Sequence, residues 1–109
     1  MPDSVYGPQR MFCESILRRY GVETTFYDPR AGSGIELLIK ANTRFVYLEA
    51  PGSLTFEMQD VPAITEAAHR HSALVIMDNT WAGPLYFKAL EHGVDLSLQA
   101  ATKYIAGHS

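Results

Sequence analysis

Apolar and polar positions alternate along the chain with two different periods. In residues 8–21 (PQRMFCESILRRYG), Cys13, Leu17 and Tyr20 fall on one helical face with Phe12 and Ile16 beside them, and Gly21 supplies a stop. Residues 22–28 (VETTFYD) predict a short strand closed by Asp28-Pro29. Residues 31–42 (AGSGIELLIKAN) predict a turn and a short helix carrying Ile35, Leu38 and Ile39. Residues 44–53 (RFVYLEAPGS) predict a strand running into a Pro-Gly loop. The helix at 60–71 (DVPAITEAAHRH) has Asp60 as N-cap, Pro62 in its first turn and an apolar stripe of Val61, Ile64 and Ala68. Residues 73–79 (ALVIMDN) form a continuous apolar run that ends in a carboxylate, the pattern of a central parallel strand. A second short helix at 83–93 (GPLYFKALEHG) and a strand at 95–101 (DLSLQAA) follow.

Strands that alternate with helices imply βαβ units. The expected fold is therefore a three-layer α/β/α arrangement around a mainly parallel sheet. No internal repeat, linker or low-complexity segment interrupts the 109 residues, so one domain with one core is expected. The composition is that of a soluble globular protein: 47% hydrophobic, 19% charged, formal net charge -3. There is no basic stripe to attract nucleic acid. No apolar run approaches the roughly 20 residues of a membrane span, and "MPDSVYGPQR" lacks a signal peptide's apolar stretch. Cys13 is the single cysteine, so no intrachain disulfide can form, and a cytoplasmic setting is expected.

In open α/β sheets, ligands sit beyond the C-terminal ends of the strands. Three clusters occupy those positions: Glu49, Pro51, Gly52 and Ser53; Asp78, Asn79 and Thr80; and Thr102, Lys103 and Tyr104. They should line one crevice. A carboxylate against an apolar sheet needs a cation or several donors. A lysine at an apolar strand end has the mirror requirement, and desolvation would make its amine nucleophilic. Asp78 and Lys103 either pair with each other or face a ligand that wants an acid at one end and an amine at the other. Pyridoxal phosphate is such a ligand: its aldehyde condenses with lysine and its ring nitrogen takes a carboxylate partner.

The stretch 75–109, with "DNT", "TKY" and "GHS", resembles the cofactor-binding core of the Cys/Met-metabolism family of pyridoxal-phosphate-dependent enzymes. The resemblance runs back through "EAPGSLTFEMQDVPAI" to "DSVYGPQRMFCESIL", nearly the whole chain. Within the family, "PGS", "DNTW" and "QAATKY" are most similar to the bacterial cystathionine β-lyase branch. Ala100 stands where other branches often carry a serine that can donate to phosphate.

The resemblance implies part of the large domain of the fold-type I (aspartate aminotransferase-like) pyridoxal-phosphate enzymes. It implies that Lys103 holds the cofactor's aldehyde and then acts as the general base at the substrate Cα. Asp78 keeps the pyridine nitrogen protonated. Tyr6, in "SVYGP", stacks on the ring and assists proton transfer. Thr102 donates to the phosphate, and Ser53 and Trp81 shape the pocket. The implied reaction is α,β-elimination of L-cystathionine to homocysteine, pyruvate and ammonia, with the related γ-synthase, γ-lyase and cysteine or cystine β-lyase reactions as alternatives. An inert α/β fragment is the alternative of another class.

The family's Gly-rich phosphate-binding turn, its neighbouring-subunit aromatic and arginine, and its carboxylate-binding arginine match no segment here. Residues 1–109 are therefore expected to be a partial large domain of a longer enzyme, one that the resemblance implies is a homotetramer built from dimers. The fragment alone is expected to be inactive.

Several residues have plainer readings. Cys13 is expected to be a small core residue of its helix. His69, His71, His92 and His108 have no metal-ligand pattern, and none is expected to bind metal. "GSG" at 32–34 lacks the third glycine of a dinucleotide fingerprint. Glu49 is expected to brace its strand end, and Lys40 and Lys88 to be solvated helix charges.

Overall fold

The computed structural model describes residues 1–108; Ser109, the last residue of the "GHS" motif, lies outside them. Three parallel strands form the sheet: β1 (Phe45–Glu49), β2 (Leu74–Asp78) and β3 (Leu96–Leu98), in the order β1-β2-β3. The register pairs Phe45 with Leu74 through to Glu49 with Asp78, and Ile76, Met77 and Asp78 with Leu96, Ser97 and Leu98. The apolar run at 73–79 is thus the central strand, as its composition predicts.

Side chains alternate across a strand, so the sheet has two distinct faces. Val46, Leu48, Val75 and Met77 point to one of them, where they pack with Ile64, Ala67 and Ala68 of helix α2 (Val61–Arg70). Asp60 caps α2: its Oδ1 accepts the Ala63 N–H at 3.1 Å. Alanines at 67 and 68 let the helix backbone approach the sheet closely, and both are fully buried. The N-terminal segment lies on the other face. There, α1 (Gly7–Met11) continues as a π-helical turn, Phe12–Leu17, which buries Cys13 but leaves Phe12, Ile16 and Tyr20 exposed. Cys13 and Leu17 line a cleft of about 420 Å³ together with Tyr47 of β1.

The expected strand at 22–28 does not form. Only Tyr27 makes a bridge, with Pro2. The physical reason lies at the outer edge of β1, where side chains take the hydrogen bonds a neighbouring strand would use. The Tyr27 hydroxyl donates to Tyr47 O at 2.8 Å, and Glu49 N–H donates to Gln59 Oε1 at 3.2 Å. An edge satisfied in this way offers no ladder to a further strand. The segment 31–42 is a 3₁₀ helix, Gly32–Leu38, anchored by buried Ile35.

The helix expected over 83–93 is split into α3 (Gly83–Tyr86) and a 3₁₀ turn, Ala89–His92. Fully buried Asn79 interrupts it: its Nδ2 donates to Gly83 O at 3.1 Å and Phe87 O at 2.8 Å. Gly93 ends the turn at φ 89°. A Cβ there would stand 3.0 Å from Thr65 Oγ1, so glycine is required twice over. Among the described residues, no helix is long and apolar enough to cross a membrane.

Candidate functional site

The C-terminal ends of β1 and β2 bring Glu49 and Asp78 side by side as register partners. Asp78 is half-buried, and its Oδ1 accepts the Thr80 N–H at 2.9 Å. Thr80 in turn joins the second strand end to the third: its Oγ1 accepts the Ala100 N–H at 2.8 Å. Asn79 N–H donates to Leu98 O at 2.8 Å and continues the ladder for one more bond. The first two clusters therefore meet at one end of the sheet, and Ala100, two residues before the third, is tied to them through Thr80.

Lys103 lies differently from the sequence expectation. β3 stops at Leu98, and residues 101–106 turn, with Lys103 N–H on Ala100 O at 3.0 Å. Once Thr80 has captured Ala100, the strand has no further partner to extend along. The Lys103 side chain is exposed rather than desolvated. Thr102 beside it is also exposed. Among the described residues, neither Lys103 nor Asp78 takes part in an ion pair, so they do not answer each other's charge.

Tyr6 stands at the N-cap of α1 with 55% of its surface exposed, and its N–H donates to Glu49 Oε2 at 3.0 Å. Ser53 is half-buried, and its N–H donates to Ser4 O at 2.8 Å. Trp81 is exposed and meets Phe56 edge-on, with ring centroids 5.8 Å apart. Glu49 is buried, and that burial raises its carboxyl pKa above the ordinary range. The Tyr6 N–H counteracts the rise, and the neighbouring Asp78 adds to it.

The strand-end clusters include Glu49 and Thr80 without giving either a role toward a ligand, and they do not include Phe56. Glu49 reads as a strand-end brace and Thr80 as a loop residue. Phe56 sits in a loop whose geometry, with Leu54 and Phe56 both at positive φ, has no sequence signature. The cleft of about 420 Å³ contains none of the predicted site residues. The histidines have local partners: His69 with Asp95 at 2.9 Å and His71 with Glu36 at 3.0 Å. Among the described residues, no group of three His, Cys, Asp or Glu could hold a metal ion.

The donor set fits pyridoxal phosphate. Asp78 keeps acceptor capacity for a protonated ring nitrogen, Lys103 offers an amine without an ion-pair partner, and Tyr6 presents an open aromatic face. The phosphate end is the less complete, with Thr102 as the predicted donor.

The family model for the Cys/Met metabolism PLP-dependent enzymes matches residues 1–109. The chain is 62% identical over 107 residues to a "Putative cystathionine beta-lyase" of Rhizobium johnstonii, covering 98% of this chain and 27% of that protein. It is 47% identical over 111 residues to the Escherichia coli cystathionine beta-lyase, covering 100% of this chain and 28% of that one. Other relatives carry different names, among them an L-alanine/L-glutamate racemase of Wolbachia pipientis and an L-methionine gamma-lyase of Porphyromonas gingivalis. Among solved structures, the cystathionine gamma-lyase of Lactobacillus plantarum complexed with L-serine superposes with a TM-score of 0.92 at 35% identity. It covers 99% of this chain and 29% of that one. The chain thus spans less than a third of the length of these relatives, and the α/β fold with its parallel sheet is theirs. On its sequence and its fold, the chain belongs to the Cys/Met metabolism family of pyridoxal-phosphate-dependent enzymes.

Proposed function

We propose that residues 1–109 form part of the cofactor-binding large domain of a carbon–sulfur lyase, cystathionine β-lyase in type, that works in the cytoplasm as a tetramer of paired dimers. The reaction is α,β-elimination of L-cystathionine, which with one water gives homocysteine, pyruvate and ammonia. The observation that supports the reading most is Asp78 at the end of the central strand, without an ion-pair partner and in register with Glu49, whose carboxylate accepts the Tyr6 N–H. The 62% identical relative named for this activity supports the choice of branch.

The chemistry follows from the residues. Lys103 Nζ would hold the cofactor at its aldehyde and would be the base for the substrate Cα proton. When bound, the cofactor supplies the electron sink for the charge left at that carbon. Asp78 holds a proton on the ring nitrogen by charge and hydrogen bonding, and Thr80 N–H fixes the orientation of its carboxylate. Tyr6 offers a flat face for stacking and a phenol for proton movement. Thr102 donates to the phosphate. Ser53 and Trp81 border the substrate, with Trp81 supplying apolar surface for a thioether chain.

A racemase would use the same lysine at the same Cα proton without breaking a C–S bond, and one relative bears that name. A product assay on the complete enzyme separates the readings. Pyruvate from L-cystathionine supports the β-lyase; 2-oxobutyrate indicates γ-elimination; inverted amino acid without keto acid indicates racemisation.

A further inference from the structure

Glu49 has a duty that bracing a strand does not explain. It is 7% exposed, in register with Asp78, and its carboxylate bonds the backbone N–H of Tyr6 across 43 residues of sequence. Burying a carboxylate next to a half-buried one is costly unless it has its own donors. An apolar residue would avoid that cost but would leave the Tyr6 N–H without its acceptor. The carboxylate present here is tied to the one backbone group that sets where the Tyr6 ring stands.

The contact is reinforced around it. Ser53 N–H donates to Ser4 O at 2.8 Å, so the segment Ser4–Tyr6 is laced to the loop after β1 at two points. Gly52, between them, has no room for a side chain: a Cβ would stand 2.5 Å from Ser4 Oγ. Tyr6 is also the residue at which α1 begins, and it has no side-chain cap of its own. Glu49 therefore fixes both the start of α1 and the origin of the Tyr6 side chain, while the ring itself stays open to a ligand.

We propose that Glu49 is a positioning residue: through the Tyr6 N–H, its carboxylate sets the place from which the Tyr6 ring meets the cofactor held at Asp78. This inference rests on the cofactor reading of the site. It gives a reach requirement rather than a charge requirement. The Glu49→Gln change keeps an acceptor at the right distance, whereas Glu49→Asp keeps the charge but falls one methylene short.

The test uses the complete enzyme that carries this chain, stripped of cofactor and titrated with pyridoxal phosphate. Affinity is read from absorbance and the ring's setting from visible circular dichroism. Glu49→Asp should weaken binding about tenfold and change the visible ellipticity, the scale of losing one hydrogen bond, while Glu49→Gln stays within about twofold of wild type. In a Tyr6→Ala background, Glu49→Asp should cause no additional loss, because it acts through that ring. Losses that add in the double variant, a Glu49→Gln as weak as Glu49→Asp, or a Glu49→Asp with wild-type affinity and ellipticity would each overturn the inference. A wild-type protein that binds no pyridoxal phosphate would instead sink the cofactor reading itself.

Discussion

Glu49 and Asp78 are register partners at the C-terminal ends of two adjacent parallel strands, on the same face of the sheet. Two acids placed in this way repel each other, and burial compounds the effect on Glu49. Among the described residues, neither acid has an ion-pair partner. That lack is what a cofactor with a protonated ring nitrogen would relieve.

The Glu49 carboxyl has its pKa raised above the ordinary 4.5, by burial first and by Asp78 as well. An acid raised in this way binds its proton more tightly in the folded state. Its stabilising share is present while it is protonated and is lost as pH rises through the folded value. Glu49→Gln should therefore gain stability relative to wild type as pH climbs from about 4.5 towards neutrality, measured by urea denaturation at matched pH values. A difference that is constant across that range would contradict the assignment.

Asp95 titrates in the opposite sense. Its pKa is depressed, chiefly by the hydrogen bond to His69 and next by the Val75 N–H. Its stabilising share is present above the ordinary value and is lost as pH falls through the depressed one. Asp95→Asn should remove part of the acid-side loss, so the stabilities of variant and wild type, measured by urea denaturation, converge at low pH.

Gly93 tests the turn before β3. Gly93→Ala forces a side chain into φ 89° against Thr65 Oγ1 and should cost about 1–3 kcal/mol by chemical denaturation. Gly34→Ala is the control: nothing stands within 4 Å of its Cβ, and the change should stay within about 0.5 kcal/mol.

Ile64 is fully buried between α2 and the sheet. Ile64→Ala should destabilise the protein by about 2–5 kcal/mol, with the spread set by how far α2 can collapse into the gap. An effect below about 1 kcal/mol would mean that α2 does not carry the core as described.

Periodicity made β1, α2 and β2 legible because each turns its apolar pattern to the core: Val46 and Leu48, the stripe of Ile64 and Ala68, and Val75 and Met77. It failed where side chains replaced backbone pairing. Tyr27 serves the β1 edge with its phenol, so residues 22–28 carry a strand's composition without a strand's ladder. It failed again where one buried amide, Asn79, cut a helix in two. The strand-end rule found Asp78 and the segment of Lys103, since it depends only on topology. It ended β3 too late and expected a desolvated lysine, whereas β3 stops at Leu98 and Lys103 is exposed in the turn that follows. The strand-end rule put Glu49 and Thr80 at the rim, but their contacts run to backbone groups, which leave no trace in residue type.

The central claim is that Lys103 is the amine that takes the cofactor. The most direct measurement is borohydride reduction of the complete enzyme loaded with pyridoxal phosphate, followed by digestion and mass spectrometry of the peptides. The prediction is a pyridoxyl adduct on the peptide bearing Lys103, abolished in Lys103→Ala together with the long-wavelength absorbance of the bound cofactor. An adduct on a different lysine, or an unchanged band in Lys103→Ala, would contradict it.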